Sequence, residues 1–462
     1  MASLHTKVIS DVLPESIRMI PSANSHLQGG GIMYKKIVLA AAFAAGSLGV
    51  VGVSNASAAD LGGNCCADLE ERIAELESTA ARKGNRKVSL TVSGWIAEQV
   101  VHWDDGVQSN TYVTGLGSAF ASNVNFRGEA QIARGITAGY VLHIEAITSD
   151  VYTTNQTTPD GPSIFTGTTN ATQVLYSYWF VKSEDLGKIS VGRISPADDS
   201  AVVALDSSGT LAAAYWVAYD VFGFNVRGNF APGDSLIWGN ASSCRGYGGG
   251  PGDCDAVPRN VVRYDSPVFS GFSASASWGE DDIWAVAGWY HNTIGDFKIS
   301  GVVTYSESMD SALGAPPDGK LKYTQAGLYL QHLPSGWFAT GAWGHLSQDV
   351  NPMNNPDTDT WYLKSGVRMK LSSLGATIPY AEYLGANNSA FVINDSGTAN
   401  DTSDDVGRVV RGSSAQFWGV GVVQEIDAAA MSVWLRYRDH DVDVPGVNTK
   451  NMSTIVTGAM IN

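Results

Sequence analysis

Residues 88–96 read VSLTVSGWI, a stretch in which apolar side chains alternate with small polar ones. A period of two over this length indicates a β-strand with one apolar face. The same pattern recurs to the end of the chain in segments of roughly ten residues, the length of a transmembrane strand. We identify sixteen such segments: 88–102, 122–133, 138–148, 172–183, 187–194, 257–266, 271–280, 282–292, 294–306, 320–332, 337–347, 359–371, 374–385, 414–426, 429–440 and 450–461.

The connections between these segments alternate in length. Seven are tight, among them 134–136 and 372–373, and only the connection after Gly279 breaks the alternation. Outer-membrane barrels have short periplasmic turns and long extracellular loops, whereas a soluble sandwich has no reason to sort its loops. We therefore predict an all-β fold, a sixteen-stranded antiparallel transmembrane barrel over 88–462. The long connections are 103–121, 149–171, 195–256, 307–319, 348–358, 386–413 and 441–449.

Charged residues share one parity within several strands. Arg127 and Glu129 alternate with apolar residues on one strand, and Arg436 and Arg438 do so on another. A charge facing lipid costs about 2–4 kcal/mol at the bilayer midplane, so we assign these side chains to the lumen. A sandwich would show the same parity with its charges outside. Secretion, loop sorting and strand number favour the barrel.

The N-terminal region predicts export. Residues 33–58 combine a short basic start, an apolar stretch and the small-residue end Ala56-Ser57-Ala58, which together are typical of a cleaved signal peptide. Residues 1–32 are atypical in front of such a signal, and we interpret them as an over-extended start.

A single helical segment is predicted between the signal and the barrel. Within 59–87, Cys66, Leu69, Ile73 and Leu76 follow steps of three and four, a seam about two heptads long. Two interpretations stay open: a periplasmic coiled coil that joins protomers, or a lone helix lying against the barrel.

The composition excludes several functions. The chain has 51 glycines and only 16% charged residues, which fits short strands and turns. Its net charge of −16 argues against nucleic-acid binding, which needs basic surface. Because the common catalytic motifs of hydrolases, metalloproteases and nucleotide-binding enzymes do not occur, we predict no enzyme activity, no cofactor and no metal site.

Several stretches resemble outer-membrane porins of alphaproteobacteria, of the Rhizobiales type. The resemblance covers essentially all of 33–462, and its most specific part is the dense run from Cys65 to Gly94. It implies a homotrimer of sixteen-stranded barrels in the outer membrane, in contact with lipid and lipopolysaccharide. The stretches are CCADLEERIAEL at 65–76, KGNRKVSLTVSG at 83–94, WDDG at 103–106, VGR at 191–193 and RYDSP at 263–267.

The resemblance also implies that the third extracellular loop, 195–256, folds into the lumen and narrows it. On this loop we nominate Asp198, Asp199 and Asp206 as an acidic face. Opposed charges across a narrow pore orient polar solutes and bias ion selectivity. The nominated basic set on the facing wall comprises Arg127, Arg263, Arg368, Arg436 and Arg438.

Two cysteines lie in the same long loop. Cys244 and Cys254 bracket a Gly/Pro-rich stretch, and in an exported protein we expect them to form a disulfide. Metal binding is the weaker alternative, since no histidine lies near them. Cys65 and Cys66 are adjacent, and bridges within or between protomers both stay open.

These features predict a general diffusion porin through which small hydrophilic molecules and ions pass down their gradients. A substrate-specific outer-membrane channel and a surface-binding, adhesive barrel are the alternatives.

Overall fold

The computed structural model describes residues 88–163, 166–214, 219–242, 258–279, 283–308, 320–348, 355–394 and 406–462. The predicted over-extended start, signal peptide and helix over 1–87 lie outside these residues. Cys244 and Cys254 lie outside them as well.

Twenty strands occur in the described residues, all paired antiparallel to their neighbours. They are β1 Ser89–Asp104, β2 Ser109–Gly115, β3 Ser122–Ala133, β4 Ile136–Ile147, β5 Ala171–Ser183, β6 Gly187–Ile194, β7 Asp234–Ser235, β8 Arg259–Asp265, β9 Phe272–Gly279, β10 Ile283–Ile294, β11 Phe297–Ser308, β12 Leu321–His332, β13 Trp337–Gln348, β14 Thr358–Val367, β15 Thr377–Asn387, β16 Phe391–Asn394, β17 Val406–Val409, β18 Ser414–Ile426, β19 Met431–Asp443 and β20 Met452–Ile461. A four-residue helix, α1, covers Gly239–Ser242. No helix in the described part of the chain is long and apolar enough to span a bilayer.

The main sheet closes on itself. It contains 17 strands, and its first strand pairs with its last from Ile96↔Ile461 to Asp104↔Ser453. The other side of β1 is shared, since its lower part pairs with β3 and its upper part with β2. Because β2 and β3 occupy one position around the ring, seventeen strands fill sixteen places. The prediction of a sixteen-stranded closed antiparallel barrel is confirmed.

One predicted loop is wrong. Residues 103–121 were expected to be unpaired, but β1 runs to Asp104 and β2 pairs back along it. The turn between them is fixed by Asp105, whose side chain accepts hydrogen bonds from the amides of Val107 and Gln108. Two of the three outward residues of β2, Ser109 and Thr111, are polar and only Val113 is apolar, so the apolar alternation that marks the other strands is weak here.

Apolar side chains cover the outside of the barrel wall. Leu90, Ile96, Val303 and Leu363 are each more than half exposed. A surface of this kind is stable only against hydrocarbon. Outward aromatic residues bound it in two rows, a lower row of Phe272, Tyr290, Phe297 and Trp337 and an upper row of Trp278, Trp284, Trp343, Trp361, Tyr383 and Trp418.

The core of the molecule lies inside the barrel. Val202, Leu205, Leu211 and Ala213 of the third loop are buried in one cluster with inward side chains of the wall. The first turns of the loop include a short 3₁₀ helix at Val203–Leu205. The third loop therefore packs against much of the inner surface of the barrel wall.

Candidate functional site: the lumen and the third loop

The third loop enters the lumen directly after β6. The amide of Ala197 donates to Ser277 Oγ of β9 at 2.9 Å. Farther around the wall, Gln325 of β12 donates to the carbonyl of Asp198 at 2.7 Å. These two hydrogen bonds attach the first residues of the loop to the inner wall.

A buried ion pair fixes the next part of the loop to the wall. Lys364 Nζ of β14 lies 2.6 Å from Asp206 Oδ2, and it also donates to Thr210 Oγ1 at 2.9 Å. Next to this pair, the guanidinium of Arg368 donates to the carbonyl of Ser208 at 3.2 Å and pairs with Glu425. A buried pair of this type is stable only while both charges are present.

A four-charge network holds the next part of the loop. Asp220 of the loop pairs with both Arg436 and Arg438 of β19. Arg438 Nε also lies 2.8 Å from Glu382 Oε1 of β15, and all four side chains are buried. The carbonyl of Ala213 accepts from both arginines, which fixes the backbone there.

The acidic residues at the loop entrance face a basic corner. Asp199 is buried, accepts from Ser200 Oγ at 3.1 Å and lies near Arg259 and Arg263. Burial raises the pKa of Asp199 to about 6, and hydrogen bonds and these arginines only partly oppose that rise. Arg263 itself donates to the carbonyl of Ser195 at 2.9 Å.

The wall opposite most of these contacts keeps charges exposed to water. Arg127 of β3 retains 19% side-chain exposure and Glu129 retains 38%. The two side chains are 2.5 Å apart, and the Arg127 guanidinium lies 5.1 Å from the ring centroid of Phe180 on β5. On this face the Arg127 guanidinium therefore has both an ion-pair partner and a cation–π contact.

A second inner segment narrows the same side higher up. Residues 116–121, between β2 and β3, turn inward, and the amides of Ala119 and Ala121 donate to Glu145 of β4 at 3.1 and 3.3 Å. Phe120 of this segment packs against Trp95 of β1 with tilted rings at a centroid distance of 5.6 Å. Glu145 alternates with outward apolar residues on β4, but the inserted segment that pairs with it has no sequence signal that we recognise.

The nominated residues come together differently from the expected opposed set. Arg263, Arg436 and Arg438 donate hydrogen bonds directly to backbone carbonyls of the third loop. They therefore do not face the loop across an aqueous gap. Arg127 lies on a different wall from these three. Lys364, Asp220 and Glu382 belong to the network but were not nominated. The inward parity of Lys364 was the signal that could have found it.

Farther along the loop, an extracellular sheet joins two long connections. Strand β7 of the third loop pairs with β16, and β16 pairs with β17. Asp234 and Arg408 are joined across this sheet at 2.6 Å. Hydrogen bonds from Arg408 and Asn394 lower the pKa of Asp234. Among the described residues, no group of three or more His, Cys, Asp or Glu is placed to hold a metal ion.

Comparison with solved structures places the fold among outer-membrane channels. The chain is similar to an anion-selective porin from Comamonas acidovorans, with 13% identity and a TM-score of 0.51 over 81% of this chain and 99% of that one. It is also similar to OmpF of Salmonella typhi, solved with daunomycin, with 12% identity and a TM-score of 0.49 over 81% and 98%. At these identities the likeness concerns the fold alone.

Sequence comparison identifies the family. No curated protein matches the chain by sequence. The family model of Gram-negative porins matches residues 40–460, which is most of the chain. The chain therefore belongs to the Gram-negative porin family, and the predictions of an outer-membrane diffusion channel and not an enzyme are confirmed.

Proposed function

We propose that solutes cross this barrel through the space between the third loop and the inner faces of β3 and β5. The observation that supports this route is the one-sided attachment of the loop, from Gln325 to Arg438 by way of Lys364. The water-exposed charges Arg127 and Glu129 lie on the other side. Passage along this route is passive and is sorted by size and charge.

A bilayer recording combined with charge reversal tests the route. We expect Arg127→Glu to change the ratio of anion to cation permeability, because the side chain borders the path. The same reversal at Lys450, which donates to the carbonyl of Gly106 in an extracellular turn, should leave that ratio nearly unchanged. Equal effects of the two variants would place the path elsewhere.

Within this channel we retain the nominated residues as a proposed narrowing. Asp198, Asp199 and Asp206 would form one side, with their contacts to the wall fixing the loop in position. The proposed Cys244–Cys254 disulfide would stabilise the outer part of the loop by limiting its unfolded freedom. A mass shift of the intervening peptide on reduction would establish it.

A homotrimer is the proposed assembly. Aromatic side chains at the membrane–water boundary are typical of lipid-facing barrel walls. The outward residues of β1 and β20 include no Trp, Tyr or Phe, and Leu90, Val92 and Ile455 there are half exposed or more. An apolar wall without the aromatic rows suits a neighbouring protomer better than lipid. Ile96→Arg should reduce trimers on unheated gels, whereas Val303→Arg on the opposite wall should not.

The alphaproteobacterial, Rhizobiales-type relationship and the domain division at 1–32, 33–58 and 59–87 belong to this proposal too. N-terminal sequencing of the exported protein tests the division, and we expect its first residue to be Ala59.

A further inference from the structure

Lys298 faces the lumen at the periplasmic end of β11. Its neighbours in register are Thr293 on β10 and Gln331 on β12. The preceding residue, Phe297, is 44% exposed on the outside, so the side chain of Lys298 points inward. The tight turn at Gly295 lies just below it.

The charged side chains around Lys298 are paired with other side chains. The charged side chains that act on it electrostatically are Asp206 and Arg368. Asp206 is bound to Lys364 at 2.6 Å, and Arg368 is bound to Glu425. The two pairs are neutral as pairs, so they leave the charge of Lys298 uncompensated.

Lys298 itself has no hydrogen bond or ion pair with any residue that the structure describes. The side chain is half-buried on the lumen face, and an ammonium group without an ion-pair partner leaves a positive charge on this part of the wall. A unit charge about 8 Å from a dissolved ion changes the local concentration of that ion about twofold in water.

We propose that Lys298 is a specificity-determining residue that favours small anions on the periplasmic side of the third loop. The proposal rests on the channel function proposed above. It assigns the ion preference of this part of the pore to a residue outside the acidic and basic sets that the sequence suggested. On this proposal, the ion preference of the pore does not follow the net negative charge of the whole chain.

Reversal potentials across a potassium chloride gradient test this role. We expect Lys298→Gln to lower the chloride-to-potassium permeability ratio about twofold and Lys298→Glu to lower it further. Lys450→Gln, an equal loss of charge on an exposed extracellular turn, should leave the ratio unchanged. An unchanged ratio in Lys298→Glu channels that still open in steps would overturn the proposal.

A chemical variant covers the case in which charge reversal disturbs folding. Lys298→Cys channels would be treated with a sulfonate-bearing or an ammonium-bearing thiosulfonate, and the parent chain treated with the same reagents would control for its own cysteines. The anionic reagent should shift the ratio toward potassium and the cationic reagent should restore it. Identical effects of both reagents would count against Lys298, whereas a parent protein without any conductance would count against the channel function.

Discussion

Lys364 Nζ and Asp206 Oδ2 lie 2.6 Å apart, and neither side chain is exposed to solvent. One group belongs to the barrel wall and the other to the third loop, so the pair fixes the loop to the wall. Desolvating both charges is costly, and each charge compensates that cost for the other. The position of the loop therefore depends on a pair in which removal of either charge leaves the other one buried and uncompensated.

Removal of one partner should be strongly destabilising. We expect Asp206→Ala to lower the free energy of unfolding by about 3–5 kcal/mol, because it leaves the Lys364 ammonium buried and uncompensated. The double change Asp206→Leu with Lys364→Met should recover much of that loss. Urea unfolding of the detergent-solubilised barrel measures both. A single variant as stable as the parent would show that water reaches this pair.

The packing of the loop on the wall can be changed at one glycine. A side chain at Gly327 would lie 2.8 Å from Leu205 Cδ1 and 2.9 Å from Val202 Cγ1, so only glycine allows this close approach. We expect Gly327→Val to push the loop off β12 and to raise both the size and the noise of conductance steps. Gly288→Val adds the same volume where the glycine faces open space, and it should leave the conductance unchanged.

Ion preference should depend on pH through Asp199. Its pKa is raised to about 6 by burial, so the carboxyl is neutral below that pH and ionised above it. The folded state then binds more protons than the unfolded state between the ordinary aspartate value and about 6, and stability falls as pH rises through that window. Ionisation adds a negative charge beside Arg259 and Arg263, and the anion-to-cation permeability ratio should decrease from pH 5 to pH 7.

The Asp199→Asn variant is the control for this titration, and its ratio should stay flat across the same range. A parent channel with no change between pH 5 and pH 7 would contradict the assignment. A change that persists in Asp199→Asn would assign it to another group.

The extracellular sheet should weaken in acid. Hydrogen bonds from Arg408 lower the pKa of Asp234, so the contribution of the pair is present above the ordinary aspartate range and is lost as pH falls through the lowered pKa. Amide hydrogen exchange in β16 and β17 should accelerate at pH 3 relative to pH 7, after correction for intrinsic rates. In Asp234→Asn the two pH values should give nearly equal protection, and a persistent difference would exclude this pair as the cause.

The barrel could be predicted from sequence because its signal is repeated and local. Alternation over each strand and the sorting of short and long connections both follow from the hydrocarbon boundary, which acts on every strand alike. The bounds of β6 and β18 agree with the predicted segments to the residue. The β2 strand was missed because it lies above the apolar belt, where outward residues need not be apolar.

The interior of the lumen was less predictable. Parity placed Arg436 and Arg438 inside, but a partner such as Asp220 is more than two hundred residues away and has no periodic signal. Lys298 was not nominated because the feature that distinguishes it is the absence of a hydrogen bond or ion pair with the described residues, which sequence alone does not show. Which side chains pair within a folded loop depends on tertiary contacts. Residue types alone show only which pairs could form.

Planar-bilayer recording of the purified protein tests the central claim most directly. We predict stepwise, long-lived conductance increments with a nearly linear current–voltage relation, as expected for a permanently open aqueous pore partly filled by a fixed loop. A correctly folded barrel, established by its heat-dependent mobility on gels, that inserts into the bilayer without producing any such increments would contradict the account.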